Sequence, residues 1–595
     1  MVGRAVPGLT ALWAGLLVVQ GLMPVVTVYM SKQTIDNFVL ARNDTESFYY
    51  LNQTLLAFLL TGTSLLLTEF MRYLSDLVRT AQMEHFSDFV KNLTHVKSST
   101  VDLEFYESSG YHDLMEQARG ESQSKPLALL ANLGTVVQSL ITLTSFAAIL
   151  FTYGWAIPLL LMVGTLPGLY VSLRFDRVYH AWWRDTASDR RWLHYFDAML
   201  SHADTAAEMR LFNLAPKFIA RYRKRRDRLR SERLEQSRRQ VAGKMVATSM
   251  NLITAAFAIS WIALGVYFNE ATLGDLAVFY QVFNSGQAIM SALLIGAGQM
   301  ISNSLYLETL FSYLDLPSKV VSPEQPAVFP SRIEEGIAFK NVSFAYPGEK
   351  RPVLSNFDLD IPAGRKVAIV GVNGAGKSTL IKLLCRFYDP QDGAIEIDGT
   401  DIRRFNVRTL RQNISVLFQN PIKFHETAAG SIALGNVDDV SDQAVIRSIA
   451  EQAGAHDFID KLPDKYDSLL GKWFVNGSEL SGGEWQKIAL ARAYYRKAPI
   501  MILDEPTSFM DSWGEADWYN RFLSLAKDRT ALIITHRFTI AMRADIIHVL
   551  DKGEIIETGT HRDLVDSDGF YARSWKAQIA VAEEKQLDEH VIVST

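Results

Sequence analysis

The sequence predicts a chain of two parts: an all-α transmembrane domain of six spanning helices, followed by an α/β domain built around a glycine-rich turn. Three observations predict it. Charged residues are missing from long stretches confined to the first half of the chain. After residue 336, short β-rich runs alternate with helical segments, and a glycine-rich turn separates one such run from a helix. Length agrees, because single cores stop growing near ~250 to 300 residues and this chain has 595.

The charge-free stretches are 5–31, 47–68, 126–173, 245–269 and 276–307. Crossing a hydrocarbon core of ~30 Å takes roughly 20 apolar residues as helix. The 126–173 stretch is long enough to cross twice, turning near Tyr153, Gly154 and Trp155, which brings the spans to six. Arg4 ahead of the first stretch has the look of a signal peptide, but the stretch is too long and lacks a clear small-residue cleavage site, so it is read as a retained helix. Connections alternate in length: 32–46, 153–155 and 270–275 are short, whereas 69–125 and 174–244 are long and charged. The long ones carry a dense run at Arg221, Arg223, Lys224, Arg225, Arg226, Arg228 and Arg230. By the positive-inside tendency they face the cytoplasm, as do both ends of the domain. The run itself reads as a solvated helix face near anionic lipid headgroups.

Net charge is only −5, which gives no polyionic field and no reason to expect nucleic acid as a partner. Cys385 is the single cysteine, which excludes an internal disulfide framework and a cysteine metal cluster; it reads as a small buried apolar residue. The last span carries Gln281, Asn284, Gln287, Ser291, Gln299 and Asn303 beside Tyr280 and Phe283. Uncharged polar groups in a span either line a cavity or hydrogen-bond between helices, and both readings stay open.

Pro317 and the stretch Ser322, Pro323, Glu324, Gln325, Pro326 read as a linker. The expected division is a membrane domain over 1–316, a linker over 317–335, the α/β domain over 336–575 and a polar tail over 576–595. Within the third part, Gly371-Val-Asn373-Gly374-Ala375-Gly376-Lys377-Ser378-Thr379 follows the strand Val367 to Val370 and precedes the helical run Leu380 to Leu384. That is the context a phosphate-binding P-loop requires. Glycines let backbone N–H groups wrap phosphates, Lys377 reaches the terminal phosphates and Ser378 offers a hydroxyl to Mg²⁺. Ile500 to Leu503 is an apolar strand that ends in Asp504 and Glu505. Asp504 suits the Mg²⁺ shell, and Glu505 suits polarising the water that attacks the γ-phosphate of ATP.

Leu480-Ser481-Gly482-Gly483-Glu484, followed by Gln486 to Arg492, resembles the signature motif of ATP-binding cassette transporters and the helix behind it. Residues 336–570 resemble the nucleotide-binding domain of that superfamily, and the whole chain resembles its half-size exporters. The resemblance implies that Ser481, Gly482 and Gly483 close over ATP held by another subunit's P-loop. It puts Tyr346 where a ring stacks on adenine, Gln419 where the Q-loop meets Mg²⁺ and water, His536 at the switch histidine, and Asp511 in the D-loop. Two departures stand out. Glu484 replaces the usual Gln, and is expected to point away from the γ-phosphate; Ser508-Phe509-Met510-Asp511 replaces Ser-Ala-Leu-Asp. The 471–477 stretch, with Trp473 and Phe474, resembles a bacterial subgroup that includes peptide exporters. Phe105-Tyr106-Glu107 through Ala118, and Glu208 through Tyr222, resemble the first and second coupling segments. The few residues before the first span differ from the elbow helix common in the family, which suggests a trimmed or atypical start.

The resemblance implies an ATPase in the cytoplasmic membrane that exports or flips a drug, lipid or peptide. Its cofactors are ATP and Mg²⁺, and its partners are the lipid bilayer and a second copy of itself or a related half-transporter. An importer on the same fold and an ATP-gated regulatory or channel protein are the alternatives.

Overall fold

The computed structural model describes residues 6–43, 47–108, 124–152, 155–268, 271–439, 442–507, 518–519, 521–522, 526 and 529–579. Calls on Tyr153, Gly154, Asp511 with its D-loop neighbours, and the first coupling segment beyond residue 108 lie outside them. The chain divides into two compact units: one comprises Met1–Ser99 and Asp113–Leu316, the other Thr100–His112 and Pro317–Thr595.

The first unit is helical. Six helices are long and apolar enough to cross a membrane: Pro7–Arg42, Phe48–Thr100, Ala128–Phe151, Pro158–Asp185, Ala215–Tyr267 and Leu273–Met300. Two of them have 53 residues, roughly 80 Å at 1.5 Å per residue, so most of their length lies beyond the bilayer. Large apolar side chains cover the outside: Leu55, Phe58, Leu66 and Phe70 are each at least 60% exposed. In a water-soluble fold such a surface would aggregate, whereas in lipid it is the ordinary solvent-facing side. Packing between helices is local. Phe279, Val282 and Phe283 of the last span are fully buried against Val28, Phe146, Ala255, Ala258 and Ile262. The first and the last of the three short connections share one side, as the topology requires. Lys32 near the end of the first span pairs with Asp275 at 2.5 Å, and Gly274 N–H donates to Asp36 Oδ1 at 3.0 Å.

On the opposite, charged side the basic run lies along the helix Ala215–Tyr267. All its members except Arg225 are exposed. Several are neutralised locally: Arg228 meets Glu232 at 2.9 Å, Arg230 meets Asp227 at 2.8 Å, and Arg225 pairs with Asp189. Trp182 Nε1 also donates to Glu232, whose pKa falls below the usual glutamate value because of that bond and the Arg228 bond.

The second unit has two sheets. β1 (Gly336–Phe344), β2 (Leu354–Pro362), β4 (Asp392–Ile397) and β5 (Thr400–Asp401) form an antiparallel sheet in the order β2-β1-β4-β5. β3 (Lys366–Gly371), β6 (Ile414–Leu417), β7 (Ile500–Asp504), β8 (Thr530–Ile534), β9 (Ile546–Asp551) and β10 (Glu554–Gly559) form the other, in the order β10-β9-β3-β8-β7-β6. Four of its five pairings are parallel, and the β10–β9 edge is antiparallel. Every residue of β7 and β8 is buried, as expected of a parallel sheet covered on both faces. β3 sits between β8 and β9, and the chain leaves the carboxyl ends of β3 and β7 toward the same edge. Ligands of open α/β sheets bind at that edge.

Part of the first long loop belongs to this second unit. Asp102 accepts from Ser318 Oγ at 2.8 Å and from Lys319 N–H at 2.5 Å. Leu103 packs on the cassette core, and Glu104 meets Lys319 at 2.7 Å. The linker is pinned from the other side by Arg386, 3% exposed, which donates to Val321 O and bonds Asp389.

Candidate nucleotide site

The P-loop adopts the geometry that its glycines permit. Gly374 at φ +83° and Gly376 at φ +106° occupy the left-handed region, which a Cβ would strain. This turns the backbone into the start of the helix Lys377–Leu384, whose free N–H groups and dipole favour an anion. Lys377 is 8% exposed and donates to Gly371 O at 2.6 Å and Val372 O at 3.1 Å, so it is folded against its own loop. Burial lowers its pKa from the usual lysine value, against the attraction of Glu505 and Asp504. A phosphate group would supply the charge that this buried ammonium lacks.

Asp504 ends β7 with 7% exposure. Its pKa is raised to about 6, first by burial and then by the neighbouring Glu505, with Lys377 opposing. Glu505 follows at φ +47°, off the strand, with its N–H on Ile534 O at 2.8 Å and its carbonyl receiving Gln486 Nε2 at 3.3 Å. Its carboxylate is held at both oxygens: Gln419 Nε2 donates to Oε2 at 2.8 Å, and His536 Nδ1 lies 2.9 Å from Oε1. Residues 117 positions apart in the chain, 419 and 536, thus meet on one glutamate.

Tyr346 is joined to the same loop by a hydrogen bond between its hydroxyl and Thr379 Oγ1 at 3.1 Å. Its ring packs edge to face on Phe344 and Tyr388, and Lys382 Nζ lies 4.8 Å from its centre. Glu107, from the loop segment described above, accepts from Lys382 Nζ at 2.7 Å and from Tyr388 OH at 2.6 Å. Burial pulls the Lys382 pKa down, but its bonds to Glu107 and Tyr346 carry it above the usual lysine value. Burial and then the Glu107 bond push the Tyr388 phenol up. Lys382 and Tyr388 were not singled out in the sequence, because a lysine and a tyrosine behind a P-loop have no distinctive spacing.

The signature motif is elsewhere in the hydrogen-bond pattern. Ser481 caps the helix Gly482–Tyr495 in a full capping box. Glu484 Oε2 accepts from Ser481 N–H and Ser481 Oγ, both at 2.8 Å, and Glu484 N–H donates to Ser481 Oγ at 3.3 Å. Glu484 is therefore turned back on its own helix start. Ser481 and Gly482 are exposed. Among the described residues, no hydrogen bond joins 371–379 to 481–484. Just ahead, Trp473, Phe474 and Val475 are 77%, 54% and 88% exposed, with Trp473 stacked on His425. In the second coupling segment, Leu211 and Phe212 are likewise exposed, at 78% and 63%.

Comparison with known proteins agrees with this geometry. A family model described as "ABC transporter" matches residues 354–508. The chain is 29% identical over 582 residues to the subtilin transport ATP-binding protein SpaT of Bacillus subtilis, spanning 93% of this chain and 89% of that one. It is 31% identical over 490 residues to the ATP-dependent lipid A-core flippase of Photobacterium profundum, 80% of each. Its fold matches a bacterial Atm1-family ABC exporter solved with ATP bound, at TM-score 0.81 and 24% identity, over 97% of this chain and 99% of that one.

Proposed function

The chain belongs to the ABC transporter family, and on that premise we propose that two copies pair so that each P-loop is closed by the other chain's signature motif. It is a multi-pass protein of the cytoplasmic membrane with its ATPase domain in the cytoplasm, and it couples ATP hydrolysis to export. The relatives named above are a subtilin transport protein and a lipid A-core flippase, and nothing supports the importer reading.

The observation that carries the proposal is the doubly held Glu505 carboxylate beside the buried Lys377. In the proposed reaction, the P-loop backbone, Gly371, Asn373, Gly374, Ala375, Gly376 and Thr379 among them, cradles the phosphates of the substrate ATP. Lys377 exchanges its loop carbonyls for phosphate oxygens. Glu505 accepts a proton from the attacking water, and His536 keeps the carboxylate aimed. Tyr346 holds the adenine. Asp504, Ser378 and the amide oxygen of Gln419 are hard oxygen donors suited to Mg²⁺. When bound, Mg²⁺ would offset the phosphate charge. The partner's Ser481, Gly482 and Gly483 would complete the γ-phosphate shell.

Substrate class is read from the last span. Gln281, Asn284, Ser291 and Gln299 are exposed, while Gln287 is buried and donates to Asn251 Oδ1 at 2.6 Å. Among the described residues Gln287 is the member of these that bonds to another helix, and Asn303 is buried as well, at 7% exposure. Exposed amides facing hydrocarbon are unfavourable, so they support a polar cavity at the dimer centre that takes an amphipathic lipid or peptide. ATPase activity of the lipid-reconstituted protein, measured against panels of lipids, peptides and drugs with Glu505→Gln as control, tests this. Stimulation by one class that the variant lacks is the expected result; basal turnover unchanged by the variant would remove Glu505 from its role.

A further inference from the structure

The described chain ends in a helix over residues 570–579, and that helix reaches the nucleotide site. Phe538 N–H donates to Gln578 Oε1 at 3.0 Å, and Gln578 Nε2 donates to His536 O at 2.9 Å. One side-chain amide thus closes on the backbone either side of Arg537. A carboxamide carries a donor and an acceptor on separate atoms in one plane, so it satisfies both groups at once.

The contact fills a need in the loop. Phe538 opens the short helix Phe538–Ala541, whose N-cap, Arg537, supplies no side-chain cap. The first N–H groups of a helix have no partner within it, and Gln578 provides one from outside. The helix that carries Gln578 is fixed at its other end. Phe570 N–H and Tyr571 N–H donate to Glu557 at 2.5 and 3.0 Å, His561 Nδ1 lies 2.8 Å from Tyr571 OH, and the Tyr571 ring packs edge to face on Phe538 at 5.0 Å.

His536 has little else to hold it. Its side chain is 51% exposed, and among the described residues its ring makes one hydrogen-bond-length contact, that to Glu505. Where the ring stands is therefore set by the backbone of residues 535–538. Upstream, Thr535 N–H is tied to Ile369 O at 3.1 Å on β3. Downstream, Gln578 bonds both sides of Arg537, beside the bond from Arg537 N–H to Thr535 Oγ1 at 3.0 Å and the packing of Phe538 on Tyr571.

We infer that Gln578 is a positioning residue for hydrolysis: through its two bonds to the 536–538 backbone it sets the reach of His536 to Glu505. The inference rests on the reading of Glu505 and His536 as the hydrolytic pair. It makes the C-terminal helix part of the ATPase machinery, and gives any segment that docks on that helix a route to the turnover rate.

The test uses the full chain in lipid with Gln578→Ala, Gln578→Glu and His536→Ala. Misplacing a catalytic group by about 1 Å can lower a rate on the order of 100-fold. Gln578→Ala is expected to lower kcat between about 10- and 100-fold with KM for ATP unchanged, and to speed amide exchange in the 536–541 peptide but not in β3. Gln578→Glu keeps the acceptor for Phe538 N–H and loses the donor to His536 O, and should fall between Ala and wild type. Wild-type kcat in Gln578→Ala, or faster exchange across the whole cassette with kcat and KM altered together, would overturn the inference. If His536→Ala is inactive while Gln578→Ala is not impaired, the inference alone fails. If His536→Ala turns over like wild type, the reading beneath it fails as well.

Discussion

The P-loop edge and the signature edge of the cassette are built from similar parts, glycines, a small hydroxyl residue and a helix start, yet they stand in different states. At the P-loop edge this chain supplies partners for its own groups: Lys377 rests on two loop carbonyls, Thr379 on Tyr346, and Glu505 between Gln419 and His536. At the signature edge the side chains of Ser481 and Glu484 bond to one another, and Ser481 and Gly482 are exposed. One edge gathers side chains from distant parts of this chain onto the loop, the other presents its serine and glycine outward. The difference is what a composite site predicts, since each cassette would hold nucleotide with one edge and close a partner's nucleotide with the other.

Substitutions at the two edges should therefore fail differently. The largest effect is expected for Glu505→Gln, which removes the proton acceptor and should lower turnover by ~10² to 10⁴ while leaving ATP binding intact, as read by a fluorescent nucleotide. Lys377→Ala should lose hydrolysis and nucleotide binding together. Ser481→Arg should lose hydrolysis and keep binding to the single cassette; equal loss of binding in both would erase the contrast between the edges.

A subtler change is Glu484→Gln. The carboxylate favours the helix start by about 0.3 to 1 kcal/mol through the helix dipole, so melting should drop slightly. The same charge repels an incoming γ-phosphate, so the KM for ATP should fall. A raised KM would mean that Glu484 assists the nucleotide. Smallest of all is Glu107→Gln. It keeps an acceptor for Tyr388 and loses the ion pair with Lys382, a partly exposed contact worth ~0.2 to 1 kcal/mol, hence a few-fold change in KM for ATP at most.

How much of this was legible in the sequence follows the same division. The charge-free stretches gave the six spans, because hydrocarbon tolerates no other composition, and the strand-turn-helix context gave the P-loop. The sequence leads one to expect Glu484 to point away from the γ-phosphate; what the fold adds is the capping box with Ser481, whose two donors turn the carboxylate onto its own helix start. The separate roles of Gln419 and His536 rest on a resemblance, and their meeting on Glu505 comes from the fold alone, since no local pattern links positions so far apart. Which polar groups of the last span bond within the chain was not legible either: Gln287 and Gln299 look alike until the helices are packed. Gln578 left no trace at all. It sits in a polar stretch without motif or period, and its meaning comes wholly from the fold that brings it to His536.

The central claim is that two chains make each ATP site, and the chain is suited to a direct test because its one thiol, Cys385, is 4% exposed with its pKa raised to about 12 by burial. With Asn373→Cys and Ser481→Cys placed in the Glu505→Gln background, mild oxidation of the lipid-reconstituted protein should yield covalent dimers when ATP is present and few without it. Monomers at every ATP concentration, or links formed within one chain, would contradict the account.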